Sequence, residues 1–192
     1  MARPKKFDET VTLKKALNVF WKNGYAGTSM ADLVKAMEIN PPSLYDTYGD
    51  KHSLFLTALR EYQKSQQEWM LQLFSSKMSV REIFGQLLNS VVEETLVDPD
   101  RKGCFMVNTT AELANRDQDA FLIINENEKQ IVAMITSLVK KGQSSGEISV
   151  EKDSTIIAAY LFTVVQGLRI QASANPDQKL LQGVIKTVIS GI

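Results

Sequence analysis

The sequence of 192 residues contains one cysteine, Cys104, and one histidine, His52. A single cysteine excludes an internal disulfide, and these two residues are too few to build a metal site of histidine and cysteine ligands. The sequence also lacks a phosphate-binding glycine loop, a paired-histidine motif and a G-x-S-x-G motif, and no carboxylate stands out from the predicted helix surfaces. These absences predict a protein without a metal, a cofactor or an enzymatic activity.

Long hydrophobic runs are also missing. The longest, residues 156–165, is interrupted by Thr163 and is far shorter than the roughly 20 residues that a bilayer span needs. The basic start of the chain leads into polar residues, which differs from a signal peptide. The composition, with 44% hydrophobic and 23% charged residues, is typical of a soluble globular protein, so we expect a cytoplasmic protein with no membrane partner.

Charge of neither sign dominates, because 22 basic residues balance 22 acidic ones, but the charges are unevenly distributed. Residues 1–60 hold nine basic and six acidic residues, and the rest of the chain holds thirteen and sixteen. The first six residues carry Arg3, Lys5 and Lys6 with no acid among them. A basic arm of this kind is typical of nucleic-acid binding, and the alternative is a solvated terminus.

Apolar residues recur at helical spacing along nearly the whole chain, as in Leu13, Ala16 and Phe20. Polar caps and glycine stops divide this pattern into three short helices followed by six mostly longer ones. The pattern predicts an all-α protein with a three-helix head in residues 1–50 and a six-helix body in residues 51–192. Within the body, residues 142–146 are predicted to form a loop, and Asn175–Pro176 is predicted to cap the last helix.

The second and third helices carry the pattern that indicates a function. The second is expected to start at Thr28–Ser29, and the third follows an Asn40 cap with Pro41–Pro42 in its first turn. Two short helices so close in the chain fit a helix-turn-helix, whose second helix enters the major groove of DNA. Tyr45 and Tyr48 share a face of that helix, and Tyr48 is predicted to attach it to the bundle.

Residues 16–33 (ALNVFWKNGYAGTSMADL) and 43–51 (SLYDTYGDK) resemble the TetR/AcrR family of bacterial transcriptional regulators. The resemblance is continuous over about residues 8–60, and beyond it only the helical architecture and a few short stretches agree. It implies a homodimer whose subunits each have a DNA-binding head and a body that holds a small-molecule effector, with repression favoured by the habit of the family. It also implies that Thr28, Ser29, Tyr45 and Lys51 contact phosphates of an operator, and that Pro41, Pro42, Ser43, Asp46 and Thr47 face base edges or thymine methyls.

Two residues depart from the family pattern. Glu38 occupies a turn position where many members have glycine, so either the residue is left-handed, with roughly 1 kcal/mol of strain, or the turn differs. Asp46 replaces a neutral or basic residue, and it either repels nearby phosphates or accepts a hydrogen bond from a cytosine amine.

The last two predicted helices are candidates for a dimer interface. The eighth is apolar almost all round, and the ninth has an apolar stripe with a period near four. Two such helices from each subunit suit a four-helix interface, and the alternative is the core of a monomer. The candidate interface residues are Ile157, Leu161, Val165, Leu168, Leu181, Val184, Ile185 and Val188.

An effector pocket is expected among the fourth to eighth helices. Each candidate has plain core packing as the alternative. Asn108 and Glu112 form a polar pair on a mostly apolar helix, and the alternative for them is an exposed helix face. The candidate pocket residues are Trp69, Met70, Phe84, Leu88, Cys104, Phe105, Asn108, Phe121 and Tyr160.

Two other functions compete with this interpretation. In the first, Cys104 itself senses an oxidant or electrophile, because the start of a helix and the neighbouring Arg101 and Lys102 favour a thiolate. Against it, a lone cysteine beside Phe105 and Met106 is typical of a small buried hydrophobe. In the second, the chain is an all-α ligand-binding protein or an enzyme that does not bind DNA.

Overall fold

The computed structural model describes residues 7–192, and within them the chain is all-α, as predicted. Three short helices form the head, and six helices, most of them longer, form the body. The helices of the described part are α1 (Glu9–Asn23), α2 (Met30–Met37), α3 (Pro41–Tyr48), α4 (Lys51–Phe74), α5 (Val80–Val97), α6 (Phe105–Leu113), α7 (Gln118–Ser144), α8 (Ser154–Ala174) and α9 (Gln178–Gly191).

The caps of the head helices follow from the local sequence. Asp8 accepts hydrogen bonds from two backbone N–H groups at the start of α1, and Asn40 accepts one from the N–H of Ser43. Ser29 and Asp32 form a capping box at the start of α2, because each side chain binds the backbone N–H of the other residue. These caps satisfy N–H groups that the first turn of a helix leaves unpaired, which fixes where each short helix begins.

The turn between α2 and α3 contains a strained residue. Glu38 has φ 57° and ψ 33°, so of the two predicted alternatives the residue is left-handed. Its carboxylate lies 2.6 Å from the Nζ atom of Lys15 in α1. The ion pair attaches the turn to α1, but it is partly exposed and weak.

The body has an apolar core of its own, formed mainly by α5, α7, α8 and α9. α8 packs against both α5 and α7, and α9 packs against α5. Arg81 of α5 fixes the end of α9, because its guanidinium donates hydrogen bonds to the carbonyl oxygens of Ile189 (2.7 Å) and Ile192 (2.6 Å). The last turn of α9 is therefore held against the body.

A second apolar core joins the head to the body. It contains residues of α1, α2 and α3 together with the first half of α4, α6 and the start of α7. At its centre the Phe55 ring lies edge-on to those of Phe20 (5.1 Å between centroids) and Phe105 (5.7 Å). The Tyr62 ring packs in the same way on Trp21 and Phe105. Residues of α1, α4 and α6 therefore pack against one another in this core.

Two helix boundaries in the body differ from the predictions. α7 continues to Ser144, so Gly142 is helical rather than part of a loop. A Cβ atom at Gly142 would lie 2.9 Å from the end of the Ile148 side chain, which would have to shift to admit a larger residue. Gly142 is thus closely packed within the helix and does not end it. α9 is capped by Asp177, whose carboxylate accepts from the N–H of Leu180, and not by Asn175–Pro176.

Among the described residues, one helix, α8, passes the length and composition test for a membrane span, with a mean hydropathy of 1.3 over 18 residues. α8 packs against α5, α7 and α9. One third of its apolar window is buried inside the chain, and the exposed part belongs to a surface described below. A single helix of this kind is weak support for a membrane span.

The strain at Glu38 gives a testable prediction. Glu38→Gly is expected to be more stable than Glu38→Ala by about 1 kcal/mol, because both variants lose the Lys15 ion pair and only alanine keeps the left-handed penalty. Urea denaturation of the two variants measures the difference. Equal midpoints, or a more stable alanine variant, would show that the turn carries no such strain.

Candidate DNA-binding surface and effector cavity

The third helix presents most of its predicted DNA-contacting residues to solvent. Pro41, Pro42, Tyr45 and Asp46 are exposed, and Ser43 and Thr47 are partly exposed. The Tyr45 side chain, 51% exposed, is among the most exposed large apolar side chains. One continuous face of a short helix is therefore open to a partner.

Buried contacts on the opposite side of α3 fix its orientation. Leu44 is fully buried in the core that joins head and body. The Tyr48 hydroxyl donates to the Glu9 carbonyl oxygen (3.0 Å) and lies 2.8 Å from Oγ1 of Thr12. The prediction that Tyr48 attaches α3 to the bundle is confirmed, and α3 is held rigidly enough to present Tyr45 outward.

Two predicted phosphate ligands make internal hydrogen bonds in this structure. Thr28 is 2% exposed, and its hydroxyl donates to the Gly24 carbonyl oxygen at 2.6 Å. The Nζ atom of Lys51 donates to the carbonyl oxygens of Tyr25 and Thr28, both at 2.8 Å, and lies over the Tyr25 ring. Their polar atoms thus hold the turn between α1 and α2, and contact of either residue with a phosphate stays a prediction.

Ser29 differs from Thr28, because it is exposed at the start of α2. Its hydroxyl donates to Asp32 at 2.6 Å, and this bond is the main cause that lowers the pKa of Asp32. The predicted basic residues of the arm, Arg3, Lys5 and Lys6, lie outside the described residues. Their contact with DNA stays a prediction.

An internal cavity lies in the body, between α4, α7 and α8, and reaches the start of α6. We call it the inner cavity; its volume is about 30 Å³, room for about two water molecules. Its apolar lining residues are Trp69, Met70, Leu87, Met106, Ile131, Ile135, Phe162 and Val165. The other lining residues are Tyr62, Gln63, Gln66, Cys104, Asn127, Gln166 and Arg169.

Three of the predicted pocket residues, Trp69, Met70 and Cys104, line the inner cavity, and six do not. Phe84 and Leu88 are fully buried in the body core, where tight packing leaves no room for a ligand. Phe105 packs in the aromatic cluster of the shared core. The other three lie away from the inner cavity, on the exposed surface: Asn108, Phe121 and Tyr160.

A buried polar cluster closes the cavity at the start of α6. The guanidinium of Arg169, in α8, donates to Sγ of Cys104 and to Oε1 of Gln66 at 3.2 Å. The Tyr62 hydroxyl also donates to Sγ of Cys104, at 3.4 Å. Burial raises the pKa of the Tyr62 phenol well above its ordinary value, so the group stays a neutral donor. The sequence suggested Arg101 and Lys102 as the cations beside Cys104, but the cation that binds its sulfur is Arg169.

Glu112, near the end of α6, binds the head. Its two carboxylate oxygens accept hydrogen bonds from the backbone N–H groups of Tyr25 (2.9 Å) and Ala26 (2.8 Å). Asn108 instead donates to the Lys102 carbonyl oxygen at 2.8 Å. The predicted polar pair therefore divides, and its Glu112 member connects the body to the turn between α1 and α2.

Exposed apolar side chains of α8 and α9 form a second surface. The α8–α9 surface consists of Ile156 (68% exposed), Tyr160 (47%), Leu180 (50%) and Val184 (39%). Only Val184 belongs to the predicted interface set. The sequence pattern did not show which face of these apolar helices is covered by the chain itself. The other seven predicted residues are buried in the body core, and they are Ile157, Leu161, Val165, Leu168, Leu181, Ile185 and Val188.

Sequence reasoning missed most of the polar lining of the cavity. One signal was available for Arg169, since it is the single charged residue in the 21-residue helix α8. A charge in so apolar a segment indicates a buried partner or a ligand. No comparable signal marks Gln63 or Asn127, which look like any polar residue on a helix surface.

The exposed third helix on a small head, followed by a longer helical body, defines the class of all-α proteins with a helix-turn-helix. Comparison with known families agrees. The model of bacterial regulatory proteins of the tetR family matches residues 13–58, and the model of the tetracyclin repressor-like C-terminal domain matches residues 81–188. The chain belongs to the TetR family of bacterial transcriptional regulators.

Similar proteins support this assignment. The uncharacterized HTH-type transcriptional regulator YezE of Bacillus subtilis is 30% identical over 99% of this chain and 98% of its own length. The HTH-type transcriptional repressor ComR of Escherichia coli is 30% identical over 94% of this chain and 87% of its own. A cysteine mutant of the TetR family regulator CifR, solved with 26-base-pair operator DNA, is 29% identical, covers 98% of both chains and has a TM-score of 0.85. These relatives are named as regulators, and none of the three is named as an enzyme.

The contact between Glu112 and the head gives a second prediction. Glu112→Ala is expected to lower the free energy of unfolding by about 2 kcal/mol, because two backbone N–H groups lose a charged acceptor. Hydrogen exchange of the Tyr25 and Ala26 amides should accelerate in the same variant. Glu128→Ala, at an exposed position of α7, is the control and should change the stability by less than about 0.5 kcal/mol. Identical exchange in the two variants would contradict a stabilising role for Glu112.

Proposed function

We propose that the protein is a cytoplasmic, dimeric repressor that binds a palindromic operator and is released from it by a small-molecule effector. The observation that carries the proposal is the exposed face of α3, held outward by Leu44 and Tyr48 in a fold that matches an operator-bound regulator over 98% of its length. An α-helix presented in this way fits the major groove.

The exposure of each side chain supports a different role at the operator. Pro42, Asp46 and Thr47 on the open face of α3 contact base edges or thymine methyls, together with Pro41 and Ser43. Tyr45 and Ser29 bind phosphates, and the arm of Arg3, Lys5 and Lys6 adds charge. Lys51 and Thr28 act indirectly, since they hold the turn that places α2 against α3.

The α8–α9 surface is proposed as the dimer interface. Its four apolar side chains are between 39% and 68% exposed in the isolated chain, so a second copy would bury them. α9 and the exposed side of α8 then form a four-helix contact with the same helices of the partner. A two-fold dimer also matches the symmetry of a palindrome.

α6 is proposed to connect the effector cavity with the head. Cys104 and Met106 at its start line the inner cavity, and Glu112 at its other end binds the turn between α1 and α2. Eight residues separate Cys104 from Glu112, about 12 Å of helix. Because the cavity is small, an effector must move side chains or helices to enter, and α6 carries that movement to the head.

Direct sensing of an electrophile by Cys104 has less support than binding of an effector. Cys104 is 3% exposed, and its sulfur accepts hydrogen bonds from Arg169 and Tyr62. This burial limits access by a reagent. A non-covalent effector in the adjacent cavity therefore remains the main proposal.

The operator proposal predicts specific, salt-sensitive binding. A selected palindrome with half-sites about 34 Å apart should bind one dimer, and the logarithm of its affinity should fall linearly with log salt by about 0.9 per phosphate contact. Fluorescence anisotropy measures both properties. A salt-independent affinity would contradict the proposal.

A matched pair of variants separates the two kinds of contact. Thr47→Ala should change the preferred bases, whereas Tyr45→Phe, which loses only a hydroxyl, should weaken all duplexes about equally. The reverse pattern would exchange the two assignments.

The dimer proposal is tested by Val184→Asp. A carboxylate in the centre of an apolar interface costs several kcal/mol, so the variant should sediment as a monomer and lose operator binding. Val150→Asp is the control, because Val150 is 75% exposed and lies outside the α8–α9 surface. If Val184→Asp remains a dimer that binds the operator, the interface is elsewhere.

A further inference from the structure

Arg169 is a partly buried cation without a carboxylate partner. In the described part of the chain no carboxylate oxygen lies within 4 Å of its guanidinium, which donates hydrogen bonds to Cys104 and Gln66. Glu94 acts on it from a greater distance. Burial opposes the charged form, but the neighbouring Cys104, Tyr62 and Glu94 raise the pKa of Arg169 above its ordinary value, so it stays a cation. A guanidinium in this setting lacks the bidentate acceptor that suits its geometry.

A second polar group of the same cavity lacks any partner. Asn127 of α7 is 5% exposed and lines the inner cavity, and its side-chain amide makes no hydrogen bond among residues 7–192. The enclosed side-chain atoms without a hydrogen-bond partner in the described residues are Trp21 Nε1 and Ser76 Oγ, so the Asn127 amide keeps some accessible surface and a ligand or water in the cavity can bind it. The cavity therefore offers a charged donor and an unused amide together.

The remaining lining determines the rest of the ligand. Trp69, Met70, Ile131 and Phe162 make the wall away from Arg169 largely apolar. Arg169 is the only cation among the residues that line the cavity. One positive charge balances a monoanion, whereas a phosphate dianion would leave a buried negative charge uncompensated.

Arg169 also borders a route to solvent. A second, more open pocket of about 200 Å³ lies between the start of α6 and the end of α8, where Gly103, Asn108 and Ser173 line it. This outer pocket and the inner cavity share two lining residues, Cys104 and Arg169. Rotation of the Arg169 side chain away from Cys104 would join the two spaces and provide the room that the inner cavity lacks.

We propose that the inner cavity binds a small molecule with one carboxylate on an apolar body, that Arg169 is the counter-charge for this carboxylate, and that the ligand enters through the outer pocket. The inference rests on the proposed effector function, since it names the chemical class of the effector. The guanidinium of Arg169 leaves Cys104 and donates hydrogen bonds to the carboxylate of the ligand. The side-chain N–H of Asn127 also donates to the ligand, whose apolar body packs on Trp69 and Phe162. Because Cys104 is the cap residue of α6, the exchange acts on the helix that binds the head.

The test compares carboxylates with neutral molecules of nearly the same shape. Octanoate and benzoate, with octanamide and benzamide as neutral partners, are titrated calorimetrically into the DNA-free protein. Each acid is expected to bind about 10- to 100-fold more tightly than its amide, because it gains a charge-assisted hydrogen bond in a buried site. Arg169→Gln should remove this preference. Arg60→Gln, which changes an exposed arginine of α4, should retain it.

Arg169→Lys keeps the positive charge, so it is the control for a folding defect in Arg169→Gln. It should retain a reduced preference for the acids, and circular dichroism checks that all variants are folded. Three results would each overturn the inference. The acids and amides could bind equally to the wild type, the preference for the acids could persist in Arg169→Gln, or neither acid could bind at millimolar concentration.

Release of the protein from operator DNA is measured in a separate experiment, which distinguishes a failure of the carboxylate inference from a failure of the proposed effector function. If the acids bind through Arg169 but leave the operator complex intact, the ligand class is supported and the effector function is wrong. If a neutral molecule releases the operator from wild type and Arg169→Gln alike, the effector function is supported and the carboxylate inference is overturned.

Discussion

The turn between α1 and α2 is held from two sides, and the position of the DNA-binding helices depends on it. Glu112 of the body binds the N–H groups of Tyr25 and Ala26, and Lys51 binds the carbonyl oxygens of Tyr25 and Thr28. One side chain thus satisfies donors and the other satisfies acceptors of the same short segment. Gly24 has φ 73°, and a Cβ atom there would lie 2.8 Å from the Glu112 carboxylate, so the glycine is required both by conformation and by the contact.

Most of the fold could be predicted from local sequence. Caps such as Ser29 with Asp32, and Asn40 followed by two prolines, are local signals, and they placed the helices of the head correctly. The errors have a physical pattern as well. The predicted loop over residues 142–146 is wrong at its start, because local sequence does not show that the Ile148 side chain packs on Gly142 within the helix.

The candidate site was less predictable, because it depends on which face of each helix is covered. Phe84 and Leu88 have the same sequence character as Trp69 and Met70, but only the latter pair borders a cavity. Lys51 lies at the motif position expected for a phosphate ligand, and the tertiary contact with Tyr25 gives it another role. Roles that depend on a distant backbone carbonyl or on a cavity wall cannot be read from periodicity.

α8 contributes to two surfaces at once. Phe162, Val165 and Arg169 face the inner cavity, while Ile156 and Tyr160 are exposed on the surface proposed to meet a second copy of the chain. The two sides are separated by the thickness of one helix, about 10 Å. In a dimer of the proposed kind the two cavities would therefore be neighbours across paired α8 helices. A shift of α8 in one subunit would change the packing of its partner, so occupancy of one cavity would alter the affinity of the other.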